Sequence, residues 1–246
     1  MTPALDILAV GAHPDDVELC CGGLVAKAVR RGQRVAIVDL TAGEASTRGT
    51  PALRAAEAAE GAALLGATFR ECLGLRDGWL RDDEDAARRL GAIIRRWRPT
   101  VVVGPAAHER HPDHEAAHAI VRRGVFVAGV GGIDIDGLPR HAVSETLYYP
   151  MRVEAPISFV VDVSDVYDTK RAAIRAHHSQ VGVNPQAPAT LIGAADALEA
   201  LEARDRYWGA MAGVKFAEAY ASQRVPQIDD PVAAFGRAAP HFRARP

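Results

Sequence analysis

The chain has 246 residues, of which 48% are hydrophobic, so it can bury a sizeable core and suits one α/β domain with a modest extension. Its 29 basic and 31 acidic residues are interspersed and leave a formal charge of -2, which excludes a nucleic-acid-binding stripe but admits a small polar or anionic ligand. Cys20, Cys21 and Cys72 lack C-x-x-C spacing and cannot make an even disulfide framework, so they read as reduced packing residues.

The first six residues carry no basic leader pattern, and no apolar run approaches the roughly 18 residues of a membrane span. The expectation is a cytoplasmic protein without a membrane partner. A strand is expected at 5–10, followed by Gly11-Ala12-His13-Pro14-Asp15-Asp16-Val17-Glu18 and a helix at 18–31. A second strand at 33–41 leads through a polar loop, Gly43 to Thr50, into a helix at 51–65 whose Pro51 suits a first turn. The third pair is a strand at 68–73, then Asp77-Gly78, then a helix at 83–97 stopped by Pro99. The fourth is a strand at 100–105, then Arg110-His111-Pro112-Asp113-His114, then a helix at 113–128. Gly129 to His141 is glycine-rich and aperiodic, which reads as a mobile loop able to cover the second histidine cluster. Strands at 145–150 and 158–163, helices at 164–177 and 195–212, and an irregular tail from about 225 complete the chain. The tail's four prolines suit an arm packed on another subunit. Alternation of strand and helix predicts βαβ units, a mainly parallel sheet and one domain over 1–246.

Both histidine clusters follow strands, and open α/β sheets bind ligands at the carboxyl ends of their strands. The opening turn is G-A-H-P-D-D rather than G-x-G-x-x-G, and no G-x-x-x-x-G-K-[ST] occurs, so nucleotide-binding readings fail. Imidazole and carboxylate together make the ligand set of a catalytic zinc, which takes three protein ligands. A zinc held by His13, Asp16 and His114 would leave Asp15 and His111 for acid-base work. The plainer reading makes Asp15, Asp16 or Asp113 a helix cap and the histidines their solvated neighbours. A third reading comes from His114-Glu115-Ala116-Ala117-His118, a literal H-E-x-x-H, although its metzincin extension fails at Val121 and Gly124. Arg48, Arg54 and Arg110 fall on loops at the same expected edge, and a guanidinium suits bidentate carboxylate recognition.

These motifs together resemble the zinc-dependent N-acetylglucosamine de-N-acetylases of the PIG-L-like superfamily, over about residues 5 to 220. The A-H-P-D-D turn and the H-P-D-H cluster carry the likeness. Softer matches at Gly43-Glu44, Thr47-Arg48-Gly49-Thr50, Arg54-Ala55-Ala56-Glu57, Asp77-Gly78, Phe159-Val160-Val161-Asp162 and Ser179-Gln180 resemble the bacillithiol-biosynthesis branch, which deacetylates N-acetylglucosaminyl malate. The resemblance implies a Rossmann-like three-layer α/β sandwich and a Zn2+ site of His13, Asp16 and His114, with Fe2+ as an alternative metal. It implies Asp15 as general base, and His111, oriented by Asp113, as acid or oxyanion partner. Glu44, Arg48, Arg54, Asp77 and Arg110 would contact substrate, with Arg48 and Arg110 gripping the malate carboxylates. It further implies a small-molecule sugar conjugate as partner and a homo-oligomer, a hexamer among the options. Rival readings are another GlcNAc-conjugate deacetylase, a thiol-sugar conjugate amidase, a non-catalytic zinc or sugar-binding protein, and an H-E-x-x-H metalloprotease.

Overall fold

The computed structural model describes residues 4–151, 156–182 and 184–235. Seven strands form one sheet: β1 (Ile7–Gly11), β2 (Val35–Thr41), β3 (Phe69–Leu75), β4 (Val101–Pro105), β5 (Glu145–Tyr149), β6 (Phe159–Asp162) and β7 (Ala217–Ser222). Their spatial order is β3-β2-β1-β4-β5-β7-β6. The first five are parallel, and β7 runs antiparallel to both β5 and β6.

All residues of β1 and β2 are buried, as expected for continuous apolar runs covered on both faces, whereas β3 is an edge with alternating exposure. One face packs α1 (Asp16–Arg30), α2 (Pro51–Leu65), α5 (Tyr167–Ala176) and α6 (Ala197–Ala212). The other packs α3 (Glu84–Trp97) and α4 (Pro112–Gly129), so two apolar cores flank the sheet and make the three-layer α/β sandwich. Burial of each large aliphatic side chain in them contributes roughly 1.5–3 kcal/mol. Local chemistry sets the helix ends. Thr50 caps α2 by accepting from Leu53 N at 3.2 Å ahead of Pro51, and Asp83 caps α3 through Ala86 N at 2.9 Å.

The chain order reverses beside β1: β2 and β3 are laid down on one side, β4 and β5 on the other. Such a switch point leaves a crevice beyond the carboxyl ends of β1 and β4. Both histidine clusters emerge there.

Three expectations need correction. The 129–141 loop connects α4 to the start of β5 and therefore lies at the sheet edge opposite the crevice. It is also fastened: buried Arg95 donates to the carbonyls of Val127, Ala128, Val130 and Leu138, and Ile135 is fully buried. Cys72 is exposed on edge strand β3, unlike buried Cys20 and Cys21. The tail is irregular at 225–230 but forms a short helix, α7 (Pro231–Phe235), and 236–246 fall outside the described residues. Among the described residues, no helix is long and apolar enough to cross a membrane.

Candidate active site

The turn after β1 is folded by Asp16, whose Oδ2 accepts from the backbone N–H of Ala12 at 2.9 Å and of His13 at 3.0 Å. Gly11 makes room: a Cβ there would lie 3.0 Å from the His13 carbonyl and 3.1 Å from Asp16 Cβ. Asp15 adopts φ 154° and ψ -23°, a region that L-residues rarely occupy. Strain of this kind costs on the order of 1–3 kcal/mol and persists where neighbours enforce it. Arg54 does so, donating to Pro14 O at 3.0 Å and Gly43 O at 3.2 Å, with Nη2 3.4 Å from Asp15 Oδ1.

After β4, His111 rather than an aspartate caps the helix: its Nδ1 accepts from Asp113 N at 3.2 Å. In the neutral ring Nε2 then carries the proton. The Asp113 carboxylate instead ties down the loop after β3, accepting from Gly78 N at 2.7 Å and Leu80 N at 3.2 Å. Asp77 from that loop lies 3.1 Å from His13 Nε2, and Asp113 lies 3.4 Å from the same nitrogen. His114 Nε2 faces Asp16 Oδ1 at 3.4 Å. The rings of His13, His111 and His114 have centroids 4.8 to 5.3 Å apart.

Ligand atoms of His13, Asp16 and His114 all lie within 4.8 Å of one another, as do those of His13, His111 and Asp113. Both Asp113 oxygens are engaged by backbone donors, whereas Asp16 Oδ1 accepts from no backbone N–H and faces His114, so the first trio has the freer donor set. Charge supports a cation as well. Buried Asp15, Asp16, Asp77 and Asp113 face a single buried guanidinium, that of Arg54, and the histidines must otherwise take up protons to balance them.

The protonation equilibria follow this crowding. Burial alone would lower His13, but Asp113, Asp16 and Asp77 outweigh it and hold the ring well above its ordinary value. His114 is likewise lowered by burial and raised further by Asp16. Burial pushes Asp15 up to about 6, with Arg54 opposing. At His111, burial and then the charges of His13 and His114 hold the imidazole below its ordinary value. Burial and the neighbouring histidines thus oppose the imidazolium that Asp113 favours, and the Asp113 carboxylate is itself engaged with His13 and the N–H groups of Gly78 and Leu80.

These groups open into a cleft of about 470 Å³ that Arg54, Asp77, Arg110 and the three histidines also line. Arg110 is exposed at its rim. Two expected substrate contacts do not line it. Arg48 is buried and donates to Pro188 O at 2.7 Å and Gly182 O at 3.1 Å, so its fork is already occupied by backbone carbonyls. Glu44 is exposed and accepts from Asp77 N at 2.8 Å, bracing the loop. The H-E-x-x-H reading also fails in space. Glu115 is exposed, and His118 turns to Pro105 O at 3.0 Å and stacks obliquely on Tyr148. Sequence reasoning missed the far wall, formed by Leu19, Met151, Gln180 and Ala189 to Ile192. Only Ser179-Gln180 signalled it, since the 187–193 stretch has no periodicity. It also missed His177, which is fully buried 3.4 Å from Glu18 and carries two unpaired ring nitrogens.

Comparison with known proteins converges on one family. Residues 8–125 match the model described as PIG-L, GlcNAc-PI de-N-acetylase. A solved conserved protein of Thermus thermophilus is 38% identical and superposes with a TM-score of 0.83 over 91% of this chain and 97% of that one. A 1D-myo-inositol 2-acetamido-2-deoxy-alpha-D-glucopyranoside deacetylase of Catenulispora acidiphila is 30% identical over 72% of this chain and 80% of its own. A diacetylchitobiose deacetylase of Thermococcus kodakarensis is 29% identical over 71% of this chain and 69% of its own.

Proposed function

The chain belongs to the PIG-L family of GlcNAc-PI de-N-acetylases, and on that premise we propose that it hydrolyses the N-acetyl group of N-acetylglucosaminyl malate, releasing acetate and a free amine. It is an N-deacetylase, a hydrolase of GlcNAc-type conjugates. The observation that carries the reading is the convergence of His13, Asp15, Asp16, His111 and His114 at the switch point.

His13, Asp16 and His114 would hold the metal, zinc in this reading with iron(II) as the alternative. When bound, such an ion supplies Lewis acidity that acidifies water and polarises the acetyl carbonyl. Asp15, titrating near 6, is ionised at neutral pH yet basic enough to take the proton of an attacking water, and it can return that proton to the amine nitrogen as the C–N bond breaks. Arg54 aims that carboxylate and fixes the strained turn beneath it. His111, neutral and pinned through Nδ1, presents Nε2–H as a donor to the oxygen on which negative charge develops. Asp77 stays near His13 because Ala45 N and Glu44 hold its loop, and it can also meet sugar hydroxyls from the cleft side.

For the malate group, the support is Arg110, exposed on the rim without a carboxylate partner among the described residues. The named relatives act on inositol and chitobiose conjugates, so the group attached to the sugar is where this reading is most specific. Acetate release from N-acetylglucosaminyl malate, inositol-linked GlcNAc and free GlcNAc tests it directly. The malate conjugate should have the highest kcat/KM, and Arg110→Ala should raise its KM about tenfold with little effect on free GlcNAc. A preference for the inositol conjugate would replace malate while leaving the deacetylase. The family resemblance also supports a homo-oligomer, which sedimentation can measure.

A further inference from the structure

The far wall of the cleft is built from a segment that should not hold its own shape. Between α5 and α6 the described residues have neither helix nor strand, and most are partly or fully exposed. Yet this stretch supplies Gln180 and Ala189 to Ile192, with Leu191 49% exposed. Val181 and Ile192 anchor it in the core beneath, and Glu57 of α2 accepts from Ser179 N and Oγ at 2.7 Å each. The 182 and 188 carbonyls are fastened from the loop between β2 and α2.

Arg48 is the centre of that fastening. Its Nε donates to Pro188 O and its Nη1 to Gly182 O, so one guanidinium clasps the stretch at two points six residues apart in sequence. The guanidinium also lies against Gly193, where a Cβ would fall 2.0 Å from Nη1 and 2.4 Å from Cζ. Gly193 N donates in turn to Thr190 Oγ1 at 3.1 Å, closing the turn that carries Leu191. Gln180 completes the lock from the other side: its Nε2 donates to Arg48 O at 2.8 Å, and its Oε1 accepts from Ser46 Oγ at 3.1 Å. A planar fork suits this double contact, while a lysine ammonium is a single point charge.

We propose that Arg48 is a positioning residue that fixes the 184–193 segment as the cleft wall and thereby sets which group attached to the sugar is accepted, without touching it. This rests on the deacetylase reading above. With the acetamide held among His13, Asp15 and His111, the remainder of the conjugate runs between two sides of the cleft: the loops carrying Ala45 to Thr47, Asp77 and Arg110, and the wall of Gln180 and Ala189 to Ile192 that Arg48 holds. Contacts made remotely to a substrate, and made equally in ground and transition state, appear in KM and not in kcat.

Two lesions reach the lock from opposite sides. Arg48→Met removes both carbonyl bonds, and Gly193→Ala leaves Arg48 in place but puts a methyl into its guanidinium. Steady-state kinetics on the malate conjugate, the inositol conjugate and the methyl glycoside of GlcNAc are compared with limited proteolysis of the 184–193 stretch. Both variants should keep kcat on the preferred conjugate within about threefold while its KM rises about tenfold, so that its advantage over the next substrate collapses. Cleavage within 184–193 should accelerate about tenfold relative to wild type. Arg48→Lys should fall between wild type and Arg48→Met, and it answers the question if either lesion unfolds the protein. Variants that keep the wild-type substrate ratio, at full or uniformly lowered activity, overturn the proposal. A wild-type enzyme that releases acetate from none of the three overturns the deacetylase reading instead.

Discussion

Among the described residues, the buried charges around Lys170 and those at the switch point are balanced in opposite ways. Beside α1, Lys170 donates to Asp205 and Glu218 at 2.7 Å each, and Arg204, which also donates to the carbonyls of Leu19 and Met151, pairs with Asp205 at 3.0 Å. Glu218 also accepts from Gly23 N and Leu24 N, supporting α1 just past its kink at Cys21. Two cations thus meet two carboxylates, and each carboxylate is hydrogen-bonded. At the switch point, four buried aspartates crowd three histidines and one arginine. The first arrangement is complete by itself. The second is short of positive charge, which is the condition in which protons or a metal ion must be recruited.

The comparison breaks most sharply at Asp15. Asp15→Asn removes the proton acceptor without removing a proposed ligand, so turnover should fall roughly 10²–10⁴-fold with metal content unchanged. Steady-state acetate release with elemental analysis checks both halves. The balanced cluster should respond in the other currency. Lys170→Met leaves buried Glu218 without a cation and Asp205 with Arg204 alone, and should cost about 3–5 kcal/mol in denaturant unfolding, while metal content in the folded protein stays at the wild-type level.

A smaller effect separates the clusters by pH. His13 and His114 must be neutral to bind a metal, and the aspartates hold both rings above the ordinary histidine value. Protons therefore compete, and affinity measured against a chelator should rise with pH up to those raised values and fall by up to tenfold per proton per unit below them. The Lys170 cluster should show no such response near neutrality. The smallest expected effect is Glu115→Gln. This glutamate is exposed and belongs to the H-E-x-x-H that the structure pulls apart, so activity should stay within a few-fold of wild type.

Much of the fold was legible because periodicity reports burial. The helix expected at 51–65 occupies Pro51–Leu65, and the first five strands lie within two residues of their expected bounds. Strand β7 escaped because its buried positions include Glu218. That carboxylate is tolerated inside only because Lys170 and the α1 backbone reach it, partners remote in sequence. The two histidine clusters were legible as local motifs, and the switch point explains why they meet. Arg48 does not line the cleft, and the carboxylate of Asp113 ties the loop after β3 while its N–H holds His111, because a donor or acceptor near a motif has no readable direction until the loops it ties are placed. Arg95 makes the same point for 129–141, where glycine content suggested mobility and one side chain from α3 supplied four hydrogen bonds.

The central claim is that the charge-deficient crevice at the switch point is a metal site built from His13, Asp16 and His114. Elemental analysis of purified wild type and His114→Ala, with circular dichroism to monitor folding, addresses it most directly. The account expects close to one divalent ion per wild-type chain and a nearly metal-free, folded His114→Ala without acetate release. Equal metal content in the two proteins would contradict it.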